Sequence, residues 1–285
     1  METALGEIRE MFLLPERELD VVKTFECGQC FRWRPGEDGV YRGVASGRAA
    51  RVYPRDGAVY IEAEEGDMPF WHEYFDLGTD YEAARRSVEV CDYLRECAEY
   101  GGGIRILRQD KWEALCSFII SQCNNIPRIK SIVEKLCAMF GEAMETPWGV
   151  KYSFPTASRV ALLEEPELAP LRSGYRASYI INAARAVASG DIDLEYAATL
   201  DGNEARKYLK SLNGVGDKVA NCAVLFGLHR MDAFPVDVWI KRALKENLPA
   251  GFDPATLGDY AGLAQQYMFF HARETSRDER SHNIH

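Results

Sequence analysis

The residues best placed to do chemistry lie between positions 212 and 239. Leu212-Asn213-Gly214-Val215-Gly216-Asp217-Lys218-Val219-Ala220 sets two glycines one residue apart, between the end of one predicted helix and the start of the next. A turn this tight leaves backbone N–H groups of the turn and of the new helix unpaired and aimed outward, with the positive end of the helix dipole behind them. A phosphate is the natural ligand, held by main-chain amides without need of net positive charge or a particular base sequence. An ordinary corner between two helices carries the same glycines, and Gly214 and Gly216 alone leave both readings open. Further on, Phe234-Pro235-Val236-Asp237-Val238-Trp239 places a carboxylate where it can cap a helix starting near Val236. Lys218 stands in the first turn after the hairpin, with Cys222 four residues later on the same face. By themselves these two read as a solvated lysine and a small buried residue.

Such residues need a frame to position them. Residues 31–34, 40–45, 49–53 and 58–63 are short, rich in aromatic or β-branched types, and separated by Asp38-Gly39, Ser46-Gly47 and Asp56-Gly57. Those dipeptides accept the positive φ of hairpin turns, so an antiparallel meander is predicted. After Pro69, apolar spacings of three and four through 81–100 predict helix, which Gly101-Gly102-Gly103 ends. From Asp110, an N-cap before Trp112, Leu115 and Phe118, almost everything is helical. Pro127 opens a helix over 128–140, and others are predicted over 173–188, 204–212, 217–228, 236–246 and 255–273. The expected architecture is α+β: an antiparallel sheet domain over 1–103, an all-α domain over 104–274 and a frayed polar tail over 275–285.

The 285 residues carry 34 Lys plus Arg against 44 Asp plus Glu, formally −10, which argues against a generic basic coat for nucleic acid. The charge is local, however. Residues 56–99 hold 13 acidic and 3 basic residues, and the rest of the chain is neutral with 31 of each. The acidic segment is therefore expected to lie away from any bound polyanion. Eight cysteines, several within apolar stretches, and a start that lacks a secretory leader fit a reduced, intracellular protein. Cys27 and Cys30 form a lone C-x-x-C with no second pair at ligand spacing, so no side-chain metal site and no cofactor are expected. Nor is there an apolar run of the roughly 20 residues that a membrane span needs.

Taken together, the glycine hairpin and the Pro235-Val236-Asp237 segment resemble the helix-hairpin-helix DNA glycosylase superfamily. Gly28-Gln29-Cys30-Phe31-Arg32-Trp33, residues 104–110, Asn124-Asn125-Ile126, Gly174-Tyr175-Arg176-Ala177 and Ala264-Gln265 narrow the likeness to the 8-oxoguanine DNA glycosylase family, across both halves of the chain. The resemblance implies a monomeric base-excision repair enzyme on damaged double-stranded DNA. Lys218 would attack the sugar as a neutral amine and form a Schiff base, and Asp237 would stabilise the positive charge on the sugar. Loss of a C2′ proton would then expel the 3′ phosphate, making a glycosylase and strand-nicking lyase. For the extruded base, the likeness implies the Gly28 carbonyl as acceptor of the N7 hydrogen that guanine lacks, Phe269 as stacking surface, and Gln265 at the Watson–Crick edge. Pro235 and Cys222 would border the pocket, with the Cys222 thiolate pairing with the lysine. Asn125 and Tyr175 would wedge into the duplex, while Arg128 and Arg176 would hold the orphaned cytosine and the turn of Gly214, Val215 and Gly216 would grip phosphate.

Two positions depart from the family pattern. Cys123 replaces an asparagine that helps hold the cytosine, and Trp239 replaces a phosphate-contacting histidine, so a weakened preference for cytosine is expected. A sister glycosylase of the same fold acting on another damaged base is the nearest rival. A hairpin module that only holds DNA is the alternative from a different class.

Overall fold

The computed structural model describes residues 6–282, with side chains to 276. Five antiparallel strands, β1 (Ile8–Pro15), β2 (Arg34–Pro35), β3 (Tyr41–Ala45), β4 (Arg48–Arg55) and β5 (Ala58–Glu64), form a sheet in the order β1-β5-β4-β3-β2. The predicted turns are where the sheet reverses. Ser46 and Gly47, then Asp56 and Gly57, all have positive φ, as two-residue hairpin loops require. In β5 the alternating Val59, Ile61 and Ala63 are buried. They meet an aromatic cluster in which Phe25 stacks on Trp33 at 4.3 Å and the Trp33 indole donates to the Tyr74 hydroxyl at 2.9 Å. Burying a ring such as Phe25 contributes about 1.5–3 kcal/mol.

Residues 31–34 depart from the expected strand, since only Arg34 and Pro35 pair with β3. The segment from Cys27 to Trp33 is a buried loop, begun by left-handed Gly28 (φ +82°) and pinned by Gln29. Gln29 Nε2 donates to Arg105 O at 2.7 Å, Gln29 Oε1 accepts from Leu107 N at 2.9 Å, and Gln109 Nε2 donates to Gln29 O at 2.8 Å. That fixes the loop to the extended junction of residues 104–110.

Beyond residue 80 the chain is helical, and α+β is the fold class. The predicted helix over 81–100 is two, Tyr81–Val88 and Asp92–Tyr100, each opened by its own cap residue, Asp80 and Cys91. Both pack with the C-terminal helix in the core of the helical half, so packing does not divide the chain at residue 103. Cys27 and Phe31 join this same core, whereas Leu107 joins the sheet core. Asp110 caps Lys111–Ile120, and Asn125 caps Ile126–Phe140 with Pro127 in its first turn. Arg176–Ser189, Gly202–Leu209, Asp217–Cys222, Val238–Asn247 and Ala261–His282 follow, the helix from Asp217 running on as a π turn over Ala223–Gly227. The tail expected to fray from 275 instead stays helical to His282. No Gly or Pro interrupts it after Gly262, and residues 272–280 are mostly good helix formers.

Candidate active site

The hairpin is built as its glycines dictate. Gly214 has φ +85°, and a Cβ there would sit 2.2 Å from the Tyr179 ring, so no other residue fits without moving the ring. Gly216 is the N-cap of Asp217–Cys222 and faces open space. Val215 between them is buried and anchors the turn. Asp217, exposed in the first turn, bonds Lys210 Nζ at 2.7 Å, which holds its carboxyl below the usual carboxylate range.

In the first turn of this helix, half-buried Lys218 donates from Nζ to Ser121 Oγ at 2.7 Å and lies 5.3 Å from the Phe118 ring centre. Ser121 spends its own hydrogen on Phe118 O at 2.7 Å, so its oxygen is left to accept. Neither Ser121 nor Phe118 was visible as a site residue, because only the meeting of two helix ends brings them to the lysine. Asp237 caps Val238–Asn247 as expected, with Oδ1 accepting from Ile240 N at 2.9 Å and Oδ2 outside the cap. Cys222 is buried with Lys218 and Asp237 close enough to act on its charge. Burial pushes the thiol up to about 11, against the pull of Lys218 and with the push of Asp237. Burial thus opposes the expected thiolate paired with the lysine, because desolvation outweighs the pull of the ammonium. Alkylation with iodoacetamide at pH 8 should modify exposed Cys123 first and buried Cys222 far more slowly, as read by peptide mass spectrometry.

A second group of residues meets across the sheet-side loop. A Cβ on Gly28 would lie 3.1 Å from Ile126 Cδ1 and 3.4 Å from Phe269 Cε1. Gln265, one turn before Phe269 on Ala261–His282, is 4% exposed, and its Oε1 is buried without a partner among the described residues. An unmet buried acceptor costs about 1–3 kcal/mol. The loop 121–126 joins both groups, with Ser121 at Lys218 and Ile126 at Gly28. Pro235 is buried beside Asp237, and Trp239 is half-buried in the first turn after it.

The residues expected at the duplex lie in and around the same segment. Asn125 is exposed and caps its helix through a bond from Arg128 N at 3.0 Å. Arg128 is exposed and donates to Arg172 O at 3.2 Å. Tyr175 is half exposed, pairs edge-on with Tyr179 and stands near Cys123, with burial the main cause that raises its hydroxyl above the usual range. Arg176 is not the solvated arginine its type suggests, being only 7% exposed. It donates to Ser173 O at 3.0 Å, Cys123 O at 3.2 Å and, through Nε and Nη2, to Gln122 O. Of the five N–H donors of a guanidinium, four are thus committed to main-chain carbonyls. Among the described residues no group of three or more His, Cys, Asp or Glu is gathered as a metal site.

A glycine hairpin, an amine on the helix that follows it and a carboxylate at the next helix cap, on this frame, define a DNA glycosylase/lyase of the helix-hairpin-helix class. Residues 11–115 match the model of the 8-oxoguanine DNA glycosylase N-terminal domain, and residues 116–250 that of the HhH-GPD superfamily of base excision DNA repair proteins. A solved structure of MBOgg1 with a low-affinity DNA ligand is 38% identical over 95% of this chain and 97% of its own, with a TM-score of 0.88. The Clostridium acetobutylicum 8-oxoguanine glycosylase/lyase, solved with double-stranded DNA containing cytosine opposite 8-oxoG, is 32% identical over 95% of this chain and 99% of its own, with a TM-score of 0.86. The N-glycosylase/DNA lyase of Saccharomyces cerevisiae is 43% identical over 51% of this chain, a stretch that takes in 42% of the yeast protein. The chain belongs to the 8-oxoguanine DNA glycosylase family of base-excision repair.

Proposed function

We propose that the protein extrudes 8-oxoguanine from duplex DNA, cleaves its glycosidic bond with Lys218 and nicks the strand by β-elimination. The Lys218 amine bonds to C1′ as the electron pair of the C1′–N9 bond leaves with the base, and Asp237 balances the positive charge that builds on the sugar. The resulting Schiff base acidifies the C2′ hydrogen, whose removal expels the 3′ phosphate. Family membership supports the reaction class. The observation that carries the residue assignment is the segment 121–126, which has Lys218 bonded to Ser121 at one end and, at the other, Ile126 beside Gly28, which Phe269 also approaches. A base seated there offers N1–H and N2–H donors to the unpartnered Gln265 Oε1. Its N7–H meets the Gly28 carbonyl, which undamaged guanine would leave unsatisfied.

Cytosine opposite the lesion is preferred, but weakly. Cys123 supplies a poor hydrogen-bonding group, and Arg176 has one N–H left uncommitted. Single-turnover excision should be faster opposite cytosine than opposite adenine by about tenfold to hundredfold, the worth of one or two hydrogen bonds. A ratio far above that range would contradict the weakened preference. Excision of undamaged guanine at a rate comparable with 8-oxoguanine would contradict the reading of Gly28.

A further inference from the structure

The helix Ala261–His282 does more at the base slot than present Gln265 and Phe269. Gln266 Nε2 donates to Cys27 O at 2.8 Å, and Arg273 Nη2 donates to Glu26 O at 2.6 Å. These acceptors are the two consecutive carbonyls before Gly28, where the short helix Val21–Glu26 ends and carbonyls lack intrahelical partners. Both donors are buried, Gln266 at 2% and Arg273 at 8% exposure. The Arg273 guanidinium also lies 5.5 Å from the Phe269 ring centre and 5.9 Å from that of Phe270, and its Nη1 is buried without a partner among the described residues. From the opposite side Lys130 Nζ holds the Glu26 carboxylate at 2.7 Å.

Gly28 has no side chain to fix it and sits in the left-handed region, so its carbonyl stands wherever its neighbours hold it. Downstream, Gln29 is tied to the junction 104–110. Upstream, the ties are Gln266 and Arg273, which flank Phe269 on its own helix. We propose that Gln266 and Arg273 are positioning residues that fix the separation of Gly28 from the Phe269 ring and thereby set which base the slot accepts. This rests on the reading of Gly28 and Phe269 as the base slot. Neither residue touches the base. A shift of the Gly28 carbonyl by well under 1 Å takes a hydrogen bond from normal length to none.

The test compares Gln266→Leu, Arg273→Leu and Arg273→Lys with the wild type in two single-turnover assays. One measures excision of 8-oxoguanine and of undamaged guanine, and the other measures nicking of a duplex with a preformed abasic site, which needs no base slot. Excision by each Leu variant should fall about tenfold, the effect of one misplaced hydrogen bond. The ratio of 8-oxoguanine to guanine excision should narrow, nicking should stay unchanged, and Arg273→Lys should recover most of the loss by still donating to Glu26 O. A parallel fall of excision and nicking would reduce both residues to a structural role and overturn the proposal, as would wild-type excision. If Arg273→Leu does not fold, Gln266→Leu, which removes one neutral donor, decides the matter. Phe269→Ala separates the two layers. Excision surviving Phe269→Ala would remove the base slot itself, whereas excision lost there but intact in the Gln266 and Arg273 variants would remove only this inference.

Discussion

Replacing Lys218 by glutamine is expected to abolish the borohydride-trapped adduct on a duplex containing 8-oxoguanine and to slow excision by on the order of 10³- to 10⁴-fold. The substitution isolates the proposed nucleophile. A glutamine amide keeps an N–H donor directed toward Ser121 Oγ, the one side-chain partner of Lys218, so the pocket is little disturbed. What disappears is the lone pair that bonds to C1′ and later forms the imine. Water, assisted by Asp237, accounts for the residual excision and gives no covalent adduct. Thermal unfolding should be unchanged, because Lys218 is half-buried and makes one side-chain hydrogen bond. An adduct persisting in Lys218→Gln would move the nucleophile to another residue.

In the proposed mechanism Asp237 combines two tasks that a pair of substitutions pulls apart. As the N-cap of Val238–Asn247 it contributes about 1 kcal/mol, which asparagine preserves and alanine loses. As a negative charge beside the sugar it would contribute to the rate, which neither would preserve. Asp237→Asn should therefore melt like the wild type while excision falls by about 10²-fold or more. Asp237→Ala should lose the same activity and also unfold a few degrees lower, about 2–4 °C for each kcal/mol in a chain of this size. Full excision by Asp237→Asn would leave the residue with the cap alone. Calorimetry and single-turnover kinetics on the same preparations read the two effects separately.

What the sequence reveals about this site follows from how local each feature is. The hairpin is legible because its turn is made by Gly214 and Gly216 themselves, and Asp237 because a cap is a contact three residues long. The reason Gly214 admits no substitute, the Tyr179 ring 35 positions earlier, is not legible, nor is Ser121 as the partner of Lys218. Arg176 looks like any surface arginine until the loop 122–123 folds back over it. In the sheet half, residues 31–34 alternate as a strand would, but the left-handed Gly28 and the bonds to Gln29 on both sides hold them in a loop. Strand β1 is missed for the opposite reason. A register shift between Phe12 and Leu14 disrupts its alternation, and Leu13 is its one buried side chain.

The interleaving of the two cores bears on how the chain acquires its shape during synthesis. The aromatic cluster beneath the sheet is completed by Leu107, so it closes only after translation has passed the junction. Tyr81, Ala84, Val88, Leu94 and Cys97 share a core with Leu263, Met268 and Phe270, residues made nearly two hundred positions later. Tyr81 is already covered by Arg105 and Ile106, but until the last helix emerges the rest of that cover is missing, and pairings of such long sequence separation are the slow ones. A nascent chain stalled before residue 261 would thus leave part of the apolar face of its acidic helices bare, and would be a better client for a chaperone than for damaged DNA.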